Sequence, residues 1–230
     1  MIDGGRRYRP AWAEVDLDAI AHNTRVMAGE VAPARLCAVV KADGYGHGAP
    51  AVARAALAGG ATWLAVALVE EGAELRDAGI DAPVLLLSEP PAGAMEEVVA
   101  RRLRPTLYTP PGVVAAAKAA ASLVGAAGAR LPVHVKVDTG MHRVGARPAV
   151  AYEVAMAVAE SDELRLDGLW THLAVADDPA SPFTAEQLAT FEALRRRLAG
   201  AGVAAATLHA ANSAGVLGFP ESRLDLARCG

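Results

Sequence analysis

Short apolar runs bounded by Gly, Pro or Asp alternate along this chain with alanine-rich stretches of helical character, a pattern few folds accept. Eight such runs follow the amino-terminal region: Leu36–Lys41, Thr62–Leu68, Pro83–Ser88, Arg104–Tyr108, Pro132–Asp138, Leu166–His172, Ala206–Ala211 and Leu224–Arg228. Helical patterns at Ala49–Ala58, Val69–Ala78, Ala92–Arg101, Gly112–Ser122, Pro148–Ala159 and Ala185–Ala199 lie between most of them. Strand and helix taking turns means parallel strands joined by crossover helices.

Eight strands suit a closed (β/α)8 TIM-like barrel of about 250 residues better than an open doubly wound sheet, whose usual complement is five or six. The Asn212–Ser222 connection has room for only a short helix, and the chain stops two residues after the eighth run, without a polar tail or helix cap. We therefore expect a barrel truncated before a further domain, with no eighth helix. Residues 1–34 form a lead-in to the barrel of residues 35–230. Within the lead-in, Ala11–Leu17 alternates apolar and acidic positions as a strand would, and Asp18–Glu30 reads as a helix with Asp16 or Asp18 as its N-cap.

Composition narrows the function. The chain is 53% hydrophobic and 21% charged, which excludes disorder, and its formal net charge of -4 argues against nucleic-acid binding. The longest basic stretch, Arg195-Arg196-Arg197, falls in a helical pattern and reads as a solvated face. Cys37 and Cys229 lack the spacing of a zinc site or a disulfide framework, so no metal is expected and a reducing cytoplasm fits. Met1–Val15 has no apolar signal core. The most membrane-like stretch, Val113–Ala129, is interrupted by Lys118 and falls short of a span of roughly 20 residues, so no membrane partner is expected.

A barrel forecasts where chemistry sits, because its βα loops open at the carboxyl ends of the strands. Lys41 there closes an apolar run, where loss of water favours the neutral, nucleophilic form of an amine, and a glycine-rich loop, Gly44-Tyr45-Gly46-His47-Gly48, follows it. Lys136 and Asp138 lie in the fifth run with Arg143 beyond, His172 ends the sixth, and Arg228 ends the eighth. Asn212-Ser213-Ala214-Gly215 reads equally as a helix N-cap and as a phosphate-binding turn.

Val39-Val40-Lys41-Ala42-Asp43-Gly44-Tyr45-Gly46-His47-Gly48 resembles the pyridoxal phosphate attachment motif of the alanine racemase family. Lys136 to Gly145, Trp170-Thr171-His172, Ala211-Asn212-Ser213-Ala214 and Asp225 to Gly230 resemble its later motifs in the same order. The resemblance spans Ala11 to Gly230. It implies a pyridoxal phosphate-dependent racemase interconverting L-alanine and D-alanine for peptidoglycan, cytoplasmic, and homodimeric in its full-length form.

By that resemblance Lys41 holds the cofactor covalently and, once released, is the base on one face of the α-carbon. Tyr45, Asn212, Ser213 and the Gly230 backbone bind the phosphate. Arg143 points at the phenolic oxygen and contacts substrate. Lys136 matches a lysine often carbamylated in the family, where the resulting anion orients the arginine that a bare lysine would repel. Arg228 faces the pyridine nitrogen and His172 positions Arg228 by a hydrogen bond. The family's second acid/base, a tyrosine from a carboxyl-terminal β domain acting across the dimer, has no counterpart in this sequence. Cys229 stands where many relatives have proline, which leaves Arg228 assigned. Two other readings stay open: a non-catalytic single-barrel pyridoxal phosphate carrier, and a racemase for serine or a basic amino acid such as lysine.

Overall fold

The structure is a computed structural model that describes residues 11–123 and 130–230. The amino-terminal part of the Met1–Val15 reading and the end of the Val113–Ala129 stretch lie outside the described residues.

Eight parallel strands form: β1 (Arg35–Val39), β2 (Trp63–Val66), β3 (Val84–Leu86), β4 (Thr106–Leu107), β5 (Leu131–Lys136), β6 (Leu164–Trp170), β7 (Thr207–His209) and β8 (Leu226–Cys229). Two ladders, β3-β2-β1-β8 and β4-β5-β6-β7, make most of the wall. One seam is closed by Leu86 N donating to Arg104 O at 2.9 Å and Arg104 N to Val84 O at 2.8 Å. At the other, Asp225 N donates to Leu208 O at 3.0 Å and Arg228 N to Ala211 O at 3.1 Å. The strands thus close in sequence order into the expected (β/α)8 barrel.

The crossover helices are α3 (Ala49–Ala58), α4 (Val69–Asp77), α5 (Met95–Ala100), α6 (Pro110–Leu123), α7 (Pro148–Glu160), α8 (Phe183–Gly200) and the short α9 (Ser213–Gly218). Alanines 53, 56, 116, 119, 151 and 155 are buried, and their small side chains let these helices lie close on the strands. Leu64, Leu75, Val133 and Leu169 belong to the layer between strands and helices, fully withdrawn from water. Truncating any of the three leucines to alanine costs about 2–5 kcal/mol.

The lead-in differs from expectation at one point. Residues 11–16 make no strand, and α1 (Leu17–Val31) starts where the strand was to end. Asp16 caps it, its Oδ1 accepting from Ala19 N at 2.9 Å. An alternating pattern becomes a strand only when a neighbouring strand takes its hydrogen bonds, and neither ladder of the described residues includes this segment.

On the surface of α8, Arg195 and Arg196 pair with Glu192 at 2.6 and 2.8 Å, while Arg197 lies 3.8 Å from the Tyr152 ring centroid, a solvated helix face as expected. Both cysteines are free and buried. They occupy adjacent strands but opposite faces: Cys37 points into the barrel, and Cys229 packs among the helices. No helix of the described residues is long and apolar enough to cross a membrane.

Candidate active site

The carboxyl ends of the strands surround a cavity of about 540 Å³ whose lining includes Lys41, Tyr45, Lys136, Arg143, His172 and Arg228. Asn212, Ser213 and Gly230 line it as well, so every residue to which the family resemblance gave a role reaches one space, whereas Asp138, also placed at a strand end by sequence, does not line it. A second cavity of about 660 Å³ between α1, α3 and β1 shares Tyr45, Ser213 and Gly230 but is mostly apolar and has none of the four basic groups. The basic groups therefore gather at the first.

Lys41 lies two residues beyond β1 rather than on it, and opens α2 (Lys41–Gly46). That segment is a left-handed turn: Ala42, Asp43, Gly44 and Tyr45 have φ of 52, 55, 60 and 56°. For residues with a Cβ this costs about 1–2 kcal/mol each, so the turn needs external support. Glu71 on α4 supplies it. Its Oε1 accepts from Ala42 N at 2.6 Å and its Oε2 from Ala67 N at 2.7 Å and Leu68 N at 3.0 Å, joining the loops after β1 and β2. Asp43 Oδ1 accepts from Ala49 N at 2.7 Å and fixes the far end. Lys41 itself is half-buried, its Nζ 5.9 Å from the Tyr45 ring centroid.

The deeply buried amine of this site is Lys136, 4% exposed. Burial, reinforced by the charges of Arg228 and Arg143, lowers it to about 7. The buried, neutral-leaning lysine expected from sequence therefore exists, but on β5. Beyond it the loop returns through a Val137–Ala146 bridge, with Asp138 Oδ1 accepting from Gly140 N at 3.0 Å and His142 N at 3.1 Å. This loop carries Arg143. Gln187 of α8 ties it to the loop after β6, its Nε2 donating to Thr139 Oγ1 at 3.2 Å and to His172 O at 3.1 Å.

Arg228 is 3% exposed and held on several sides. It donates to Thr171 O at 2.8 Å, Ala210 O at 3.0 Å and His209 Nδ1 at 2.9 Å, and lies 4.5 Å from the Trp170 ring centroid. Burial lowers it to about 10, still charged at neutral pH. The expected partner, His172, is the more distant imidazole, its Nδ1 3.5 Å away. Burial, with Arg228 and Lys136 beside it, lowers His172 to about 3, so it is neutral. Sequence reasoning missed His209 and Glu71. His209 was legible as the inward-facing alternate of the seventh run, whereas nothing local marked Glu71.

At the far side, Ser213 Oγ exchanges hydrogen bonds with Gly230, donating to its O and accepting from its N, each at 3.2 Å. A Cβ on Gly230 would lie 2.9 Å from Val39 Cβ and 3.2 Å from Tyr45 Cε2, so the backbone comes this near only as glycine. Asn212 resolves toward the capping alternative. Its Oδ1 accepts from Gly215 N at 2.8 Å, and its Nδ2 donates to Leu173 O at 3.2 Å.

Four basic side chains, one carboxylate (Asp177), and a neutral imidazole at the mouth of a net-acidic chain make a site for an anionic, ring-sized ligand. Among the described residues no group of His, Cys, Asp and Glu is placed to hold a metal ion. Fold and site together define a parallel (β/α)8 barrel with a lysine-bearing, anion-binding mouth. The alanine racemase N-terminal domain family matches residues 15–230, and this chain belongs to that family.

The alanine racemase of Symbiobacterium thermophilum is 46% identical over 226 residues, 96% of this chain and 58% of that protein. That of Desulfovibrio desulfuricans is 40% identical over 223 residues, covering 96% and 59%. Among solved structures, the alanine racemase of Clostridium difficile in complex with cycloserine superposes with a TM-score of 0.91 at 33% identity, over 98% of this chain and 61% of that one. That of Bacillus anthracis with bound L-Ala-P gives 0.88 at 33%, over 98% and 58%. The chain spans about three fifths of the length of these relatives.

Proposed function

We propose that this chain is the barrel part of a pyridoxal phosphate-dependent racemase that interconverts L-alanine and D-alanine. The observation that carries the reading is the convergence of Lys41, Lys136, Arg143 and Arg228 with Tyr45, Ser213 and Gly230 on one cavity.

The donor set fits pyridoxal phosphate. Its phosphate suits the Ser213 hydroxyl, the Tyr45 phenol and the close backbone at Gly230, a cradle that a Cβ would fill. Arg143 and Lys136 suit a phenolate, and Arg228 suits a ring nitrogen that accepts a hydrogen bond. Bound there, the cofactor would supply an electron sink that acidifies the α-proton of an amino acid.

Lys41 is the amine that would hold the cofactor's aldehyde and then, released, take or return the α-proton on one face. Arg228 stays protonated and donates only, so it would hold the ring nitrogen unprotonated and limit the spread of charge, which favours return of a proton to the α-carbon over transfer of the amino group. Lys136, lowered to about 7, has enough free amine at neutral pH to add carbon dioxide. The resulting carbamate would exchange repulsion of Arg143 for attraction.

The acid/base of the opposite face is assigned, by the family resemblance, to a tyrosine outside these residues in a homodimer. Cytoplasmic location and supply of D-alanine for peptidoglycan belong to the same reading.

The test is exchange of the α-proton with solvent deuterium in the intact, cofactor-loaded protein, with alanine, serine and lysine compared. Alanine is expected to exchange and racemise fastest. Preference for serine or lysine would overturn the substrate, and no exchange despite bound cofactor would leave a non-catalytic carrier. Borohydride reduction with peptide mapping is expected to label Lys41, and label at Lys136 instead would overturn its role.

A further inference from the structure

Four polar side chains from four strands line up through the inside of the barrel. From the mouth inward they are Arg228, His209, His134 and Asp167. Arg228 NH1 is 2.9 Å from His209 Nδ1, His209 Nε2 is 2.9 Å from His134 Nδ1, and His134 Nε2 faces Asp167 Oδ2 at 3.9 Å. Both rings are fully buried, and burial lowers His134 to about 3 and His209 well below its ordinary value, so both are neutral.

The direction of the line follows from donor chemistry. A guanidinium donates and never accepts, so His209 Nδ1 must be the acceptor, and the one hydrogen of the neutral ring is on Nε2. That N–H can donate only if His134 Nδ1 is bare, which puts the hydrogen of His134 on its own Nε2. There it has no hydrogen-bond partner in the protein and is directed toward the Asp167 carboxylate. The opposite arrangement would set two hydrogens against each other at Arg228.

The deep end is built for this. The β5–β6 register pairs Val133 with Leu166 but His134 with Gly168, so Asp167 is the extra residue of a β-bulge, the device that re-aims a side chain. Gly168 makes the room: a Cβ there would lie 2.0 Å from His134 Nδ1. Trp170 stacks on His209, rings 5.3 Å apart and 9° from parallel, which holds that ring in plane. Arg165 NH2 pairs with Asp167 Oδ1 at 2.9 Å and fixes the carboxylate from the other side. Filling space alone would call for apolar side chains, because buried polar groups cost energy unless paired.

We propose that His134 and Asp167 are positioning residues that anchor the His209 ring, in the tautomer that accepts from Arg228, and so fix where the guanidinium points at the cavity mouth. What Arg228 touches there rests on the reading above, whereas the tautomer order does not.

Nitrogen-15 NMR of the intact protein, labelled at histidine and recorded without cofactor, tests it. Hydrogen on Nε2 of both His209 and His134 is expected, and hydrogen on Nδ1 of either would overturn the proposal. His134→Leu should leave the hydrogen on His209 Nε2 but remove its acceptor, so the His209 Nε2–H signal should move upfield and lose its protection from exchange with solvent, and His134→Asn, which keeps an acceptor near the Nδ1 position, should restore both. An unchanged His209 Nε2–H signal in His134→Leu would overturn it. Should His134→Leu fail to fold, Asp167→Ala at its half-buried position takes its place, with a shifted His134 Nε2–H signal expected and an unchanged one contrary. In the loaded protein His134→Leu should lower kcat about tenfold or more at nearly constant KM, with recovery in His134→Asn. Because the tautomer spectrum needs neither cofactor nor substrate, it can fail while racemisation stands, or hold while racemisation fails.

Discussion

The amine of Lys136 sits 4.1 Å from the ring centroid of Trp170, its register partner across β5 and β6. An indole face attracts a cation, yet the amine is lowered to about 7, because lost water and two nearby guanidinium groups outweigh that attraction. The unfolded chain, with an ordinary lysine near 10.5, binds more protons than the folded one above about pH 7. Stability therefore rises with pH from about 7 to 10. Lys136→Met is expected to flatten the slope by up to about 1.4 kcal/mol per pH unit, read from urea midpoints. Equal slopes would mean that Lys136 stays charged. In wild-type protein under carbon-13 bicarbonate, a carbamate signal lost in Lys136→Met is expected.

His172 has the same sign in a lower window. Its value of about 3 lies below the 6.5 of a free histidine, so the unfolded chain takes up a proton first as pH falls, and stability is lost from about 6.5 toward 3. His172→Asn should flatten that acid slope by about 1 kcal/mol per pH unit. A slope unchanged from wild type would show that His172 is protonated in the folded protein.

Glu71 makes three hydrogen bonds to the backbone, charge-assisted and worth about 1.5–3 kcal/mol, around the Lys41 turn. Glu71→Ala should weaken pyridoxal phosphate binding about tenfold or more, by absorbance titration, and Glu71→Gln should do less, since one carboxamide oxygen still accepts. Equal binding in all three would mean that the left-handed turn holds itself.

Arg228→Glu in the intact, loaded protein exchanges a permanent donor for a group that can protonate a ring nitrogen. Transamination should rise relative to racemisation, measured as the ratio of pyruvate to the opposite enantiomer. An unchanged ratio in a folded, cofactor-binding variant would mean that Arg228 does not face the ring.

Much of the architecture was legible locally. Alternation of residues such as Leu36-Cys37-Ala38-Val39 with the alanine helices sets strand and helix by period alone, and Asp16 signals a helix start through its own side chain. The carboxyl ends of the strands followed from the same reading, and with them Lys41, Lys136, His172 and Arg228. The strand expected at Ala11–Leu17 failed because its partner, unlike a helix's, must come from elsewhere in the chain.

Chain order alone thus determined the barrel, the end that carries chemistry and the residue types gathered there, because periodicity and strand direction are local properties. Only the tertiary structure decided which lysine loses its water, which carboxylate holds the Lys41 turn, and which imidazole meets Arg228. His134 and His209 are 75 positions apart and touch at 2.9 Å, and Glu71 reaches Ala42 across 29 positions, contacts that exist once the strands close. Desolvation and hydrogen bonding act over a few ångströms of space, and no local pattern along the chain encodes which distant residues will share them.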